Sequence, residues 1–203
     1  MAKVHSLQVP IRKNLDALTS AMGRHIDEAY EDGRMELIKE LNLKAFASVD
    51  LREEYPRFVN LLANANIKIV FTHTDFRGSN ILVSKKNPTR ILLTDLEYSS
   101  YAFRGFDLAI FMFDWGKEPL VSLADPRLPD DDVIRAFIRL YIEGAELLAP
   151  GYVDKEENSV ENILREVKLC ALQMFFFSNT LAINRKENLV EKVPFNLHET
   201  MVS

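Results

Sequence analysis

The 203-residue sequence predicts an α+β fold, mostly helical, with a small β-hairpin sheet set in its middle. Two changes of texture predict it. Apolar residues recur at helical spacing through the first third, and near residue 66 the pattern switches to short β-branched runs. Beyond about residue 101 long apolar stripes return, with acids placed where helices would start. Hydrophobic residues make up 47% and charged residues 27%, a globular balance that excludes a disordered or collagen-like chain. A net charge of −5 argues against nucleic acid or an acidic membrane as the partner. No apolar stretch reaches the ~18 residues of a transmembrane span, and the opening MAKVHSLQVPIRKN lacks a secretory pattern. The one cysteine, Cys170, excludes a disulfide framework and a cysteine zinc site, so a reducing, cytoplasmic location is expected.

The elements follow in order. Leu15, Leu18, Met22 and Ile26 trace one face of a helix, and Glu36 to Leu41 reads as a short second one. Asp50 with Glu53 is a capping-box pattern, after which Leu51, Tyr55, Phe58 and Leu62 mark a buried face. Pro56 falls inside that run and predicts a kink or a late start. Ile67 to Thr72, Ile81 to Val83 and Arg90 to Thr94 read as strands. Lys85-Lys86-Asn87-Pro88-Thr89 is the turn joining the last two. Asp107 to Trp115 is a mostly apolar helix. Another runs from Asp130-Asp131-Asp132 toward Leu148 and stops at Pro150-Gly151. Ile163, Val167, Cys170, Met174, Phe177 and Leu181 form one long buried stripe. The expected organisation is helical over 1–65, loop and hairpin over 66–100, helical over 101–185, and a tail over 186–203.

Chemistry concentrates in Phe71-Thr72-His73-Thr74-Asp75-Phe76-Arg77-Gly78-Ser79-Asn80-Ile81-Leu82. It has the form His-x-Asp-x4-Asn and lies between two strands. The second arm of the hairpin then delivers Thr94-Asp95-Leu96-Glu97. These spacings suit phosphoryl transfer, which needs a base aligned with the nucleophile and oxygen ligands for a metal spanning the phosphates. Asp75 can accept a hydroxyl proton, Asn80 can turn back to a metal, and Asp95 can bring a carboxylate to the same ion. One amide and one or two carboxylates are a donor set that Mg²⁺ accepts. Asp and Asn in loops are most often turn formers. The spacing arises by accident in about one chain of this length in a hundred, and Asp-x-Glu at hairpin distance makes accident rarer.

These residues, with Asp95-Leu96-Glu97-Tyr98-Ser99-Ser100-Tyr101-Ala102-Phe103-Arg104-Gly105-Phe106-Asp107 and Asp114-Trp115, resemble the choline/ethanolamine kinase family and lean to its choline branch. The resemblance is strongest from Val70 to Trp115. It is traceable in Met1 to His5, which looks like the helix opening the family's C-terminal lobe. It implies the C-terminal lobe of a protein-kinase-like fold, with the hairpin sheet carrying the catalytic loop. It also implies ATP-dependent phosphorylation of the hydroxyl of choline or ethanolamine, in phosphatidylcholine and phosphatidylethanolamine biosynthesis. Asp75 would be the catalytic base. Asn80 and Asp95 would hold Mg²⁺ and the ATP phosphates, with Glu97 assisting, and Leu82 would floor the adenine. Tyr98, Asp114 and Trp115 would bind the amino-alcohol head, where aromatic faces and an acid suit an ammonium group. Asp107 would brace the catalytic loop, Arg104 would be structural, and His73 would fix the loop. A homodimer, or a heterodimer with a full-length relative, follows from the family's tendency to dimerise.

The sequence also departs from the family. It begins where the second lobe begins, so the ATP-covering lobe is expected to be absent, and the seven glycines never form Gly-x-Gly. An exposed apolar face is expected where that lobe would pack. Arg77 stands where the family usually has Gln, a positive charge suited to phosphate and adverse to choline. Ile110-Phe111 replace Asn-His, and Asp114 replaces Glu. Phe175-Phe176-Phe177-Ser178-Asn179-Thr180-Leu181 replaces a helix carrying Trp, and its helical spacing favours core packing. The alternative to an enzyme is a truncated, inactive binding module or dimer partner. A more distant one is an aminoglycoside-phosphotransferase-like kinase, which shares the loop but not the Tyr-Ser-Ser-Tyr run.

Overall fold

The structure is a computed structural model that describes residues 1–13, 15–31, 49–117 and 127–184. Within them four strands follow in order: β1 (Ile69–Thr72), β2 (Ile81–Val83), β3 (Ile91–Leu93) and β4 (Ser100–Phe103). The helices are α1 (Ala2–His5), α2 (Asp16–Tyr30), α3 (Leu51–Asn64), α4 (Arg104–Asp114), α5 (Asp131–Leu148) and α6 (Val160–Asn184). The chain divides into two compact units: Met1–Leu15 with Asn66–Met174, and Asp16–Ala65 with Phe175–Ser203.

In the first unit the β-branched run ahead of the loop pairs, but not with the hairpin that follows it. β1 pairs antiparallel with β4, from Ile69 opposite Phe103 to Thr72 opposite Ser100. The hairpin is a separate sheet, with Ile81 opposite Leu93 and Val83 opposite Ile91. It is therefore an insertion between the strands of the other sheet, and both of its junctions, 73–80 and 94–99, start from the Thr72–Ser100 end. The stretch expected to be helical from 101 opens instead with β4. Ser100–Phe103 runs into α4 without a polar break, so periodicity alone cannot divide them; a partner strand far back in the chain decides it.

α4 is buried on nearly every side. Gly105 allows this, because a Cβ there would lie 2.5 Å from the Glu166 carbonyl oxygen of α6. Next to it the fully buried Arg104 donates from Nε and Nη2 to Glu166 (2.8 and 2.7 Å) and from Nη1 to Asn158 and Tyr152 (2.6 and 2.7 Å). Burial works against this cation, yet the Glu166 contacts outweigh it and hold the guanidinium charged. α5 buries Ile134, Ile138, Tyr141, Ile142 and Ala145, spacings that put them on one face. It ends where Gly151 adopts φ +83°, and the Glu146 carboxylate accepts the N–H groups of Gly151 and Val153 (2.9 and 3.0 Å). α6 buries Ile163, Val167 and Cys170 as predicted, and burial pushes the Cys170 thiol up. The side chains of Phe177 and Leu181 lie outside the described residues.

In the second unit Met22 and Ile26 of α2 are buried, as their spacing predicts. Asp50 caps α3 by accepting the Arg52 N–H at 2.9 Å, and Leu51, Tyr55, Phe58 and Leu62 form its buried face. α3 starts at Leu51 and runs through Pro56, so the start is not delayed. Phe176 packs against Tyr55 and Phe58, each ring pair 5.3 Å apart. The helix expected over Glu36 to Leu41, the Leu18 side chain and the 186–203 tail lie outside the described residues. Among the described residues no helix is long and apolar enough to cross a membrane.

Candidate active site

The loop between β1 and β2 is fixed first from behind. His73 is fully buried, and its backbone N–H donates to Asp107 Oδ2 at 2.8 Å. The next N–H, of Thr74, donates to Asp107 Oδ1 at 2.8 Å. His5 of α1 adds a third contact, Nε2 to Asp107 Oδ2 at 3.2 Å, while its Nδ1 meets the Tyr141 hydroxyl at 3.0 Å. A buried carboxylate serving several donors is well compensated. It sets the backbone immediately before Asp75.

The His73 ring then joins the two junctions of the hairpin. Nε2 lies 2.8 Å from the Thr94 carbonyl, and Nδ1 lies 3.3 Å from the Asp75 N–H. A carbonyl only accepts, so Nε2 carries the proton and Nδ1 is the acceptor. His73 fixes the loop. Thr74 has φ +64° and Asp95 φ +63°, a region that ordinary side chains rarely occupy. Such backbone costs about 1–3 kcal/mol per residue and collects at functional sites. The Thr74 hydroxyl helps to hold it by donating to the Tyr98 carbonyl.

Asp75 and Asn80 are joined directly. Asn80 Nδ2 donates to the Asp75 side chain at Oδ2 (2.8 Å) and to its carbonyl (3.0 Å). The Arg77 N–H also donates to the Asp75 carbonyl, and the Asn80 N–H to that of Arg77, each at 3.0 Å. The Thr94 N–H donates to the Asn80 carbonyl at 3.0 Å, so Asp95 leaves the hairpin beside the end of the loop. With the Asn80 amide nitrogen committed to Asp75, its Oδ1 meets the Ser79 hydroxyl at 3.4 Å. Among the described residues there is no group of three or more His, Cys, Asp or Glu that could hold a metal ion. The oxygens that would meet Mg²⁺ are the Asn80 amide oxygen and the exposed Asp95 carboxylate, whose hairpin junctions are tied by the Thr94 N–H on the Asn80 carbonyl. Two hard oxygen donors suit a cation that completes its shell from phosphate and water.

The residues expected to bind the substrate divide into two places. Asp114 and Trp115, at the end of α4, line a cleft of about 260 Å³ with Gly78, Ser79, Phe111, Gly116 and Lys117. Asp114 Oδ2 accepts the Gly78 N–H at 2.8 Å, and a Cβ at Gly78 would lie 3.2 Å from that oxygen. Trp115 is 47% exposed and meets Phe111 edge-on at 5.8 Å. Tyr98 does not line this cleft. It is exposed beside Glu97, whose charge and hydrogen bond hold the phenol above its usual pKa, with smaller contributions from Asp95 and Asp75. Leu82 is exposed on β2, as are Val83, Ile91 and Leu92 of the same hairpin.

A model of the choline/ethanolamine kinase family matches residues 1–199. The chain belongs to that family. A human relative described as choline/ethanolamine kinase is 28% identical over 185 residues, covering 87% of this chain and 46% of its own length. Choline kinase A2 of Caenorhabditis elegans is 25% identical over 178 residues, covering 70% of this chain and 42% of its own. The chain thus spans about half the length of the curated relatives it matches. An ethanolamine kinase structure from Plasmodium vivax superposes with a TM-score of 0.61 at 15% identity, covering 98% of this chain and 54% of that one. A choline kinase structure from Cryptosporidium parvum gives 0.54 at 18%, covering 92% and 57%. The fold is the protein-kinase-like one, mostly helical as predicted.

Within this choline/ethanolamine kinase fold three contributors escaped the sequence reading. His5 reaches Asp107 across 102 residues, and Tyr141 reaches His5 across 136, so no local pattern announces either. The third is the clip that Asp114, expected to bind substrate, makes on the loop at Gly78. The Gly at 78 was a usable signal, since a loop residue without a Cβ often marks a close approach.

Proposed function

We propose that this chain carries the alcohol-binding and base-bearing part of a choline/ethanolamine kinase site. It would transfer the γ-phosphoryl group of ATP to the hydroxyl of choline or ethanolamine, supplying head groups for phosphatidylcholine and phosphatidylethanolamine. The observation that carries this reading is the Asp75–Asn80 pair, 2.8 Å apart in a loop braced by buried Asp107. Asn80 occupies Oδ2 of Asp75 and leaves Oδ1 for a hydroxyl proton. The substrate oxygen forms a bond to the γ-phosphorus as the bond to the β-phosphate oxygen breaks. The proton passes to Asp75 and ADP leaves. Asn80 and Asp95 would hold Mg²⁺, which would neutralise phosphate charge when bound. Leu82 offers an apolar surface for adenine, and the Asp114–Trp115 cleft suits an ammonium head. The proposed compartment is the cytoplasm, where the free, buried Cys170 stays reduced.

The test is transfer of labelled γ-phosphate from ATP to choline and to ethanolamine by the 203-residue chain, with Asp75→Asn as control. Loss of a general base lowers such a rate by about 10²–10⁴-fold. Equal signals from the two proteins would end the enzyme reading. The exposed apolar hairpin then favours the second reading, a binding module or dimer partner.

A further inference from the structure

Arg77 stands apart from the rest of the loop. Among the described residues its Nε is the one buried side-chain nitrogen or oxygen with no hydrogen-bond partner. It lies 3.4 Å from Asp75 Oδ1, close enough for charge attraction yet outside hydrogen-bond geometry. Its side chain is 32% exposed, so the group is neither locked into the core nor released to solvent. A buried N–H without an acceptor is unfavourable and rare in folded proteins. Arg77 also faces the Asp75 oxygen that Asn80 leaves unoccupied.

We infer that Arg77 is the anion-holding residue of this site, its partly exposed guanidinium taking a phosphate oxygen of the phosphoryl donor. The inference deepens the kinase reading and rests on it for the identity of the donor. Guanidinium is suited to phosphate, and its permanent charge would sit where negative charge collects as a phosphoryl group moves. The same charge disfavours an ammonium beside Asp75. A cationic substrate must therefore point its amine away from the base, toward the side where Asp114 and Trp115 line their cleft.

The experiment measures binding of Mg²⁺-free inorganic pyrophosphate by calorimetry at pH 7, for the whole chain and three variants. Arg77→Gln is expected to weaken binding about tenfold or more, and Arg77→Lys to keep part of the affinity. Asp75→Asn removes the carboxylate paired with Arg77 and is expected to tighten binding several-fold, a gain that a misfolded variant cannot mimic. Unchanged affinity in Arg77→Gln, no tightening in Asp75→Asn, or no binding by the natural chain would each overturn the assignment. Failure of the kinase reading shows separately, as absent transfer to choline and ethanolamine with the pyrophosphate pattern intact.

Discussion

Behind the 73–80 loop lies Asp107, fully buried and contacted by two backbone N–H groups and the His5 ring. In front of it lie Asp95, Glu97 and Tyr98, all exposed, and a hairpin whose Leu82, Val83, Ile91 and Leu92 are open to solvent. The same residue type does opposite work on the two sides. A carboxylate stripped of water must be fully paired, so Asp107 fixes geometry and contributes to stability. A carboxylate in water is stable alone, so Asp95 is available to a ligand. The backbone leading into Asp75 is thus set from behind, and the exposed carboxylates are left to the front.

The largest effect should come from Asp107→Ala, which leaves the His73 and Thr74 N–H groups buried without an acceptor. A loss of about 3–5 kcal/mol is expected. In a chain of this size that lowers Tm by roughly 10 °C or more. A drop no greater than that of Asp95→Ala would break the comparison.

Asp95→Ala itself should shift stability by less than about 0.5 kcal/mol, as exposed substitutions do. Its effect should appear with ligand. Mg²⁺-ATP is expected to raise the Tm of the natural chain by several degrees and that of Asp95→Ala by little. Equal shifts in the two proteins would remove Asp95 from the front-side ligand set.

The smallest effect concerns Glu146, a solvent-side carboxylate with a structural task. The N–H groups of Gly151 and Val153 hold its pKa below the ordinary 4.5. Its contribution to stability is therefore complete above the unfolded value and lost as pH falls through the lower folded value. Thermal melts from pH 6 to pH 2 should show a flatter acid decline for Glu146→Gln. Parallel declines would show that the carboxylate adds nothing beyond an amide.

The Asp75–Asn80 contact was legible in the sequence because the two residues lie five apart in one loop. The hairpin that carries the chain on to Asp95 was legible from its two strand runs and the turn between them. The apolar faces of α3 and α6 were legible from their period. The late start that Pro56 allowed does not occur, because Tyr55 and Phe58 bury on the face of α3 and that packing outweighs a lost backbone bond. β4 was hidden because its identity depends on β1. The contact of Asp114 with Gly78, the reach of His5 and the unpaired nitrogen of Arg77 depend on which distant groups meet, and spacing does not encode that.

The imidazole of His73 gives the hairpin mechanical leverage. One of its nitrogens grips Thr94, where the outgoing arm ends, and the other grips the amide of Asp75. The ring thus ties the outgoing arm of the hairpin to the backbone of residue 75 through two hydrogen bonds of 2.8 and 3.3 Å. A load on Leu82 and Leu92 would therefore be felt at residue 75 without any direct contact to it.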